Sequence, residues 1–495
     1  MMNENFSIKH IFGLKVRDLR LERGFSFQEL AAESGLSVSY LSEIEKGKKY
    51  PKGDKIMQLA QALGVSYDNL VSLQVSKKLQ PVIKLLQSEF FKEFPLELFG
   101  LDAQKIIELI SVSPEKINAF INSIQVLSRN YEMGQEHFYY SALRSYQEMH
   151  DNYFADLEKA ASEFRQQHKV EEIAPGIEVL ERILKEDFNV NIDREELAQY
   201  EALKHLRSFY KSSEKQLLIN VGLNEAQERF LIARELGFQF LKLRIRPNET
   251  PPQKEYQFEG ILNNYKASYF SAALLMPEKE VVNDTKDFAA QTDWNEKKLL
   301  SYLDKYKATP EMIMQRLTNL LPIYSGIKDL FFLRFLGTDD FSTYELTKEL
   351  HLSRNHNPHG NSLNEHYCRR WISISLIKEL RSVQRLKHSN DYLAGIQISQ
   401  YHNTSDEYLC LTIAFPNVSN PNESMSVTIG CYIDEALRSR IKFLDDKKIK
   451  SRIVNTTCER CALTNCNDRI APPYHIEAME KQELVTKAIS ELNGE

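Results

Sequence analysis

Cys458, Cys461 and Cys466 stand within nine residues of one another and make up half of the six cysteines in a chain of 495 residues. The C-x2-C spacing lets two thiolates face one ion, and a third ligand a few residues on can join the same sphere. Thiolates are soft donors, so the set selects zinc or an iron–sulfur cluster over magnesium or calcium. Three cysteines leave one coordination position to be filled. Cys431 and His475 are protein candidates for it, and a small molecule or a labile iron site would serve as well. A closed structural zinc site wants a fourth protein ligand, whereas a cluster can present one iron to a non-cysteine ligand. The count therefore leans to a four-iron, four-sulfur cluster, with zinc as the alternative and free structural thiols as the plain reading. Arg460 and Arg469 beside the motif would ease the build-up of thiolate charge. Cys368 and Cys410 stand alone and are expected to be ordinary packing residues.

A second constellation lies on an amphipathic helix expected from Asn224 to about Leu243, where Glu235 is flanked by Arg234 and Phe238. The run Gln227 to Phe238 (QERFLIARELGF) resembles the zinc helix of the ImmA/IrrE metallopeptidases, and Ala267 to Pro277 (ASYFSAALLMP) resembles the segment that follows it in that family. Zinc hydrolysis needs two histidines at i and i+4, a third ligand from elsewhere and a glutamate to activate water. Of these only the glutamate is present, as Glu235. Arg234 and Phe238 stand at the histidine positions, and Lys266 stands where the resemblance places the acidic ligand. A guanidinium and an ammonium bring positive charge where a cation should bind, and a phenyl ring has no lone pair to give. The chain is therefore not expected to be an enzyme. Two readings remain open: a reused cleft in which Arg234 and Lys266 meet the phosphates of an anionic CoA thioester, or a scaffold in which Glu235 pairs with Lys266 or Arg234.

The elements that would present a third kind of chemistry are written out near the start of the chain. Residues 11 to 73 read as five short helices. Ser26 and Glu29 have capping-box spacing, Phe25 and Leu30 staple spacing, and Gly35 falls at a helix end. Ser37 then caps a second helix that Gly47 closes, with Leu36 and Leu41 as its staple, so the order is helix, turn, helix. In such a unit the first turn of the second helix reaches base edges in the major groove. Here those residues are Ser37, Val38, Ser39 and Tyr40, with Ser42 one step on and Gln28 on the preceding helix. Lys46, Lys48, Lys49 and Lys52 supply charge for the phosphate backbone. The run GFSFQELAAESGLSVSYLSEIEKGKKYPKGDKIMQLAQALGV closely resembles the Xre family of phage-repressor-like regulators, which implies an operator of double-stranded DNA and a homodimer reading two half-sites.

The remainder frames these sites. With about 150 residues per domain the length suggests about three domains, and composition suggests a folded chain throughout: 42% hydrophobic, 27% charged, formal net charge −6. That charge excludes polyanion binding by the surface at large, so any DNA contact is local. No stretch approaches a membrane span, Met1 to His10 lacks a signal peptide's apolar run, and sparse cysteines argue against a secreted framework, so the cytoplasm is expected. The fold expected is multidomain: an all-α helix-turn-helix domain (1–75), a helical dimerisation segment (76–170) with stripes at Ile117, Phe120, Ile121, Ile124 and at Phe154, Leu157, Ala161, Phe164, an α+β metal-less ImmA/IrrE-like domain (171–326), and an α+β C-terminal domain (327–495) carrying the cysteines. Strands are expected at 217–220, 331–336, 409–415 and 426–431, and a helix at 266–276.

In this order the parts resemble the short-chain fatty acyl-CoA regulator family, whose C-terminal domain carries C-x2-C-x4-C before an arginine and paired prolines, here Arg469 and Pro472-Pro473. The resemblance implies a transcription regulator with a short-chain acyl-CoA effector and, for some members, an iron–sulfur cluster. The family often has a further cysteine where this chain reads His359-Gly360-Asn361. Two other classes compete: a phage-type or antitoxin-like repressor without effector, and a repressor-cleaving metallopeptidase, against which the missing ligands count.

Overall fold

A computed structural model describes residues 6–72, 135–253, 257–338, 343–352, 365–387, 392–417, 420 and 422–493. The stripe at Ile117 to Ile124 and the tripeptide His359-Gly360-Asn361 lie outside the described residues. The chain divides into two compact units: Met1–Tyr146 with Glu255–Ile261, and Gln147–Lys254 with Leu262–Glu495.

The first unit carries α1 (Phe6–Glu22), α2 (Phe27–Ser34), α3 (Val38–Glu45), α4 (Gly53–Leu63) and α5 (Tyr67–Val71). The expected caps form. Ser26 Oγ accepts from the Glu29 amide at 3.2 Å while the Ser26 amide donates to the Glu29 carboxylate at 2.7 Å, and Gly35 takes the left-handed conformation (φ 67°) that lets α2 stop. Leu30, Leu36, Leu41, Ile44, Ile56, Leu59 and Leu63 form one core, which fixes the angle between α2 and α3. A buried ion pair, Arg20 Nε to Glu45 at 2.6 Å and Nη2 at 2.9 Å, ties α1 to the end of α3. Beside it the two helices touch through backbone, because a Cβ on Gly13 would sit 2.3 Å from the Ile44 carbonyl oxygen.

A helix at Gln135–Met149 (α6) leads to the second unit, which holds α7 (Ala155–Gln167), α8 (Ile177–Phe188), α9 (Glu225–Phe240), all but the first turn of α10 (Phe258–Leu275), α11 (Glu278–Ala289), α12 (Glu296–Tyr306) and α13 (Pro310–Leu320). Short strands β1 (Asn191–Asp193), β2 (Ser208–Lys211), β3 (Gln216–Ile219) and β4 (Glu249–Thr250) form a sheet in the order β1-β3-β2-β4. The Phe154 stripe is the inner face of α7, and there Glu158 meets Arg316 of α13 in a fully buried bidentate pair at 2.5 and 2.8 Å, with the Tyr269 hydroxyl donating to the same carboxylate at 2.7 Å. The helix expected at 266–276 starts earlier, at Phe258.

The same unit continues into β5 (Leu330–Thr338), β6 (Tyr344–His351), β7 (Leu393–Tyr401), β8 (Glu407–Pro416), β9 (Glu423–Tyr432) and β10 (Lys450–Val454), with α14 (Ile372–Lys387), α15 (Glu435–Arg440) and α16 (Tyr474–Asn493). The sheet order is β10-β7-β8-β9-β5-β6, antiparallel except for the β10/β7 pair. α14 covers one face through Ile372, Leu376, Ile377 and Leu380, packed on Phe331, Leu333, Phe335 and Ala414. Among the described residues no helix is long and apolar enough to cross a membrane.

The backbone contact of α1 with α3 generates a test. Gly13→Ala places a methyl group against two main-chain carbonyls that cannot turn aside, and overpacking of this kind costs about 1–3 kcal/mol. Denaturant unfolding of the first unit's transition is expected to show that loss, and an unchanged midpoint would refute the close approach.

Candidate functional site

The turn of α3 that faces outward is built by its cap. Ser37 Oγ accepts from the Tyr40 amide at 3.2 Å, so one lone pair of that hydroxyl is committed to the helix. Ser39 and Val38 stand exposed beside it, Val38 at 42%. Gln28, on α2, is exposed, and Ser42 is half-buried one turn further along α3. The Tyr40 ring lies under Lys49 Nζ at 5.7 Å, and Lys49 is held by Glu43 at 2.7 Å. Lys48 is exposed and Lys46 half-buried. An exposed turn of small polar and apolar groups flanked by lysines can enter a major groove and grip phosphates on either side.

The Glu235 site holds no geometry for zinc. Glu235 is buried, and its carboxylate is gripped by Arg246, a residue the sequence reading did not single out: Nη1 donates at 2.8 Å and Nη2 at 2.6 Å, with Gln239 Nε2 donating at 2.7 Å. The expected partners, Lys266 or Arg234, are thus replaced. The Arg246 guanidinium stacks on the Phe238 ring at 3.6 Å and on the Tyr210 ring at 4.4 Å, so the phenyl ring at a histidine position serves as a platform for the cation. Arg234 is 8% exposed and donates to the neutral oxygens Thr250 Oγ1 and Asn264 Oδ1. Burial, then the charges of Arg246 and Arg207, bring its pKa down to about 10. Lys266 is half-buried on α10. A positive ion has no place among these groups.

The cysteines gather differently from expectation. Cys458, Cys461 and Cys466 line one small cavity, and its fourth thiol is Cys368. Neither Cys431 nor His475 takes that place. Cys431 lies on β9, and His475 Nε2 sits 3.0 Å from Glu365 Oε1. Cys368 arrives through an antiparallel bridge of Tyr367 with Thr457 and its own amide bond to the Thr456 carbonyl at 3.1 Å. Burial, then the neighbouring Cys458 and Cys461, push its pKa up to about 11. Arg469 ties the loop by donating to the carbonyls of Cys458, Cys461 and Leu463 at 2.7 to 2.8 Å. Arg460 instead holds Glu365. Burial pushes the pKa of Glu365 up, but the hydrogen bonds from Arg460, Thr457 and His475 outweigh it and hold the carboxyl at about 2. Arg369 and Arg370 also border the cavity, and Arg370 Nε is buried without a hydrogen-bond partner. Four soft donors ringed by guanidinium groups suit an anionic thiolate cluster. Among the described residues no three His, Cys, Asp or Glu side chains, these cysteines included, stand in an arrangement that could hold a metal ion.

An apolar cavity lies elsewhere in the second unit. It measures about 80 Å³ and lies between α11, α12 and α13 on one side and the face of β8 and β9 opposite α14 on the other; Val281, Phe288, Tyr302, Met314, Leu411 and Cys431 line it, and its walls are almost wholly apolar. That is roughly half the 150 Å³ of an apolar cavity that admits benzene, so it suits a chain of a few carbons.

Comparison with known proteins separates the parts. Residues 16–70 match the helix-turn-helix family model, and residues 185–318 match the model described as an IrrE N-terminal-like domain. An uncharacterized HTH-type transcriptional regulator of Sinorhizobium fredii, y4dJ, is 40% identical over 65 residues, which are 13% of this chain and 84% of that protein. The HTH-type transcriptional repressor RghR of Bacillus subtilis is 43% identical over 61 residues, 12% of this chain and 45% of its own length. Among solved structures, a transcriptional regulator of Mycobacterium tuberculosis aligns over 67% of this chain and 94% of its own, with a TM-score of 0.47 and 17% identity.

The Glu235 pair is testable without any ligand. Arg246→Ala leaves a buried carboxylate with Gln239 as its remaining partner, and stripping one member from a buried ion pair costs about 3–5 kcal/mol. Replacing both, as Glu235→Leu with Arg246→Leu, is expected to recover most of the loss in denaturant unfolding of the full chain. A single variant as stable as the unsubstituted protein would contradict the pairing.

Proposed function

Because the chain belongs, through residues 16–70, to the helix-turn-helix transcriptional regulators, we propose that it reads its operator as a homodimer and adjusts that reading to a short-chain acyl-CoA thioester and to an iron–sulfur cluster. DNA binding rests on the observation that the capped first turn of α3 stands exposed, with Ser39 and Val38 outward and lysines beside it. Two half-sites one helical turn apart would require two copies. The protein would act in the cytoplasm, where DNA and acyl-CoA meet.

Support for an acyl effector comes from the apolar cavity, whose size favours a short chain, together with basic residues elsewhere in the same unit. Support for a cluster comes from the donor set. Cys368, Cys458, Cys461 and Cys466 would hold it, and an iron–sulfur cluster supplies reversible one-electron chemistry and sensitivity to oxygen. Arg369, Arg370 and Arg469 would offset the charge of the thiolates, and Glu365 with Arg460 would keep the loop in register. The IrrE-like part would act as a scaffold and not as a peptidase, since Arg246 occupies the carboxylate that would otherwise activate water.

The operator experiment is a titration of fluorescent DNA at several salt concentrations. Each base contact is worth about 1–3 kcal/mol, so Val38→Ala with Ser39→Ala is expected to lower operator affinity by tenfold or more while leaving nonspecific DNA unchanged. Lys48→Ala is expected to weaken all DNA alike and reduce the salt slope by about 0.9. Equal operator affinity in all variants would overturn the assignment of α3.

For the cluster, protein purified without oxygen is expected to be brown and to contain iron and sulfide, with Cys368→Ser bleaching it as fully as Cys461→Ser while Cys410→Ser leaves it intact. A colourless preparation carrying zinc, or full colour in Cys368→Ser, would refute the four-thiol cluster.

A further inference from the structure

On the outward face of α3 one side chain carries a charge opposite to its surroundings. Leu41, Ile44 and Glu45 are the buried residues of that helix, so Ser39 and Glu43, four positions apart, lie on the face turned away from the core, with Ser42 beside them. Glu45 is spent on Arg20, but the Glu43 side chain is 37% exposed and meets Lys49 Nζ at 2.7 Å. Lys46, Lys48, Lys49 and Lys52 follow it in sequence. An acid thus stands in the middle of the surface that must meet a polyanion.

Holding the loop after α3 does not account for it, because the main chain already does so. The amides of Lys48 and Lys49 both donate to the Glu43 carbonyl, at 2.9 and 3.2 Å, and the Lys46 amide donates to the Ser42 carbonyl at 3.0 Å. Gly47, in the left-handed conformation (φ 68°), turns the chain back over the end of the helix. The Tyr40 ring, 5.7 Å from Lys49 Nζ, gives that ammonium a second support. None of these contacts uses the carboxylate, and an exposed ion pair such as Lys49 with Glu43 contributes little to stability.

A negative charge carried to DNA weakens binding to every sequence unless it accepts a hydrogen bond from a base. In the major groove cytosine offers its N4 amino group with no acceptor beside it. Adenine sets the N7 acceptor next to its amino group, and guanine and thymine present acceptor atoms that repel a carboxylate. One acid therefore attracts one base and penalises the other three. We infer that Glu43 selects a cytosine in each operator half-site by accepting a hydrogen bond from its N4 amino group, while Lys49, which neutralises the carboxylate in the free protein, moves to a neighbouring phosphate. This rests on α3 as the helix that enters the groove, and adds which base one of its residues demands.

Selection of bound duplexes from a pool with a randomised segment tests it, using the full chain, Glu43→Gln, Glu43→Ala and Lys49→Gln. The unsubstituted chain is expected to enrich a half-site with one position fixed as cytosine. Glu43→Gln is expected to move that position toward adenine, whose N6 and N7 suit an amide, and Glu43→Ala to accept any base there, with the other positions unchanged. Lys49→Gln is expected to keep the cytosine and to bind all duplexes more weakly. In the enriched duplex, thymine in place of that cytosine is expected to cost the unsubstituted chain roughly tenfold in affinity and Glu43→Ala little. Both Glu43 variants are expected to bind nonspecific DNA more tightly than the parent, which also shows that they are folded. An unchanged base preference in Glu43→Ala, or a preference that Lys49→Gln alters in the same way, would overturn the inference. If the preference moves with Val38→Ala and Ser39→Ala but with neither Glu43 variant, the inference falls and the reading of α3 stands; if it moves with none of them, both fall.

Discussion

The bond between Glu235 and Arg246 governs the middle of the molecule. A carboxylate 1% exposed on the inner face of a helix must be neutralised, paired or bound to a metal. The chain answers with a guanidinium delivered by the segment after α9, and the geometry uses every feature of that group: two donors to two oxygens and a flat face on Phe238 and Tyr210. The segment from 241 to 250 is thereby fastened across α9, which brings Thr250 to Arg234 and sets β4 beside β2. α9, in the part that matches the IrrE N-terminal-like domain, is a strut whose buried carboxylate is neutralised by a guanidinium of the chain itself.

Around that strut the second unit is continuous. Arg316 on α13 reaches Glu158 on α7, while the opposite end of α13 offers Glu311 to the strands β5 and β6. The apolar cavity lies between α11, α12, α13 and the sheet, and the cysteine loop follows β10 at the sheet's other edge. The start of α16 is bound to that loop, through the His475 amide to the Glu459 carbonyl and the His475 ring to Glu365. A change at the thiols would therefore be felt at α16, and a change in the cavity at α13 and the sheet together.

The helix-turn-helix unit was legible because its information is local: Ser26, Glu29, Gly35, Ser37 and Gly47 each act within four residues of themselves, and the apolar stripe of α4 is regular. β5, β8 and β9 were legible for a similar reason, as runs of branched and aromatic residues with small ones between. Arg246 was not, since nothing in an arginine's neighbours says which carboxylate it will reach eleven positions back. Cys368 was read as an isolated packing residue because ninety positions separate it from Cys458, and the bridge of Tyr367 to Thr457 with the backbone bonds on either side of it closes that distance. Lys348 and Arg334 were missed likewise, since their common partner Glu311 sits on a helix far from them in sequence.

The claim that an internal guanidinium stands in for a metal can be tested by X-ray diffraction from crystals soaked in zinc, recorded on both sides of the zinc absorption edge. The prediction is that Arg246 remains bidentate on Glu235 and that no anomalous peak lies within bonding distance of that carboxylate, whatever the cysteines bind. An anomalous peak on Glu235 with Arg246 swung away would contradict it.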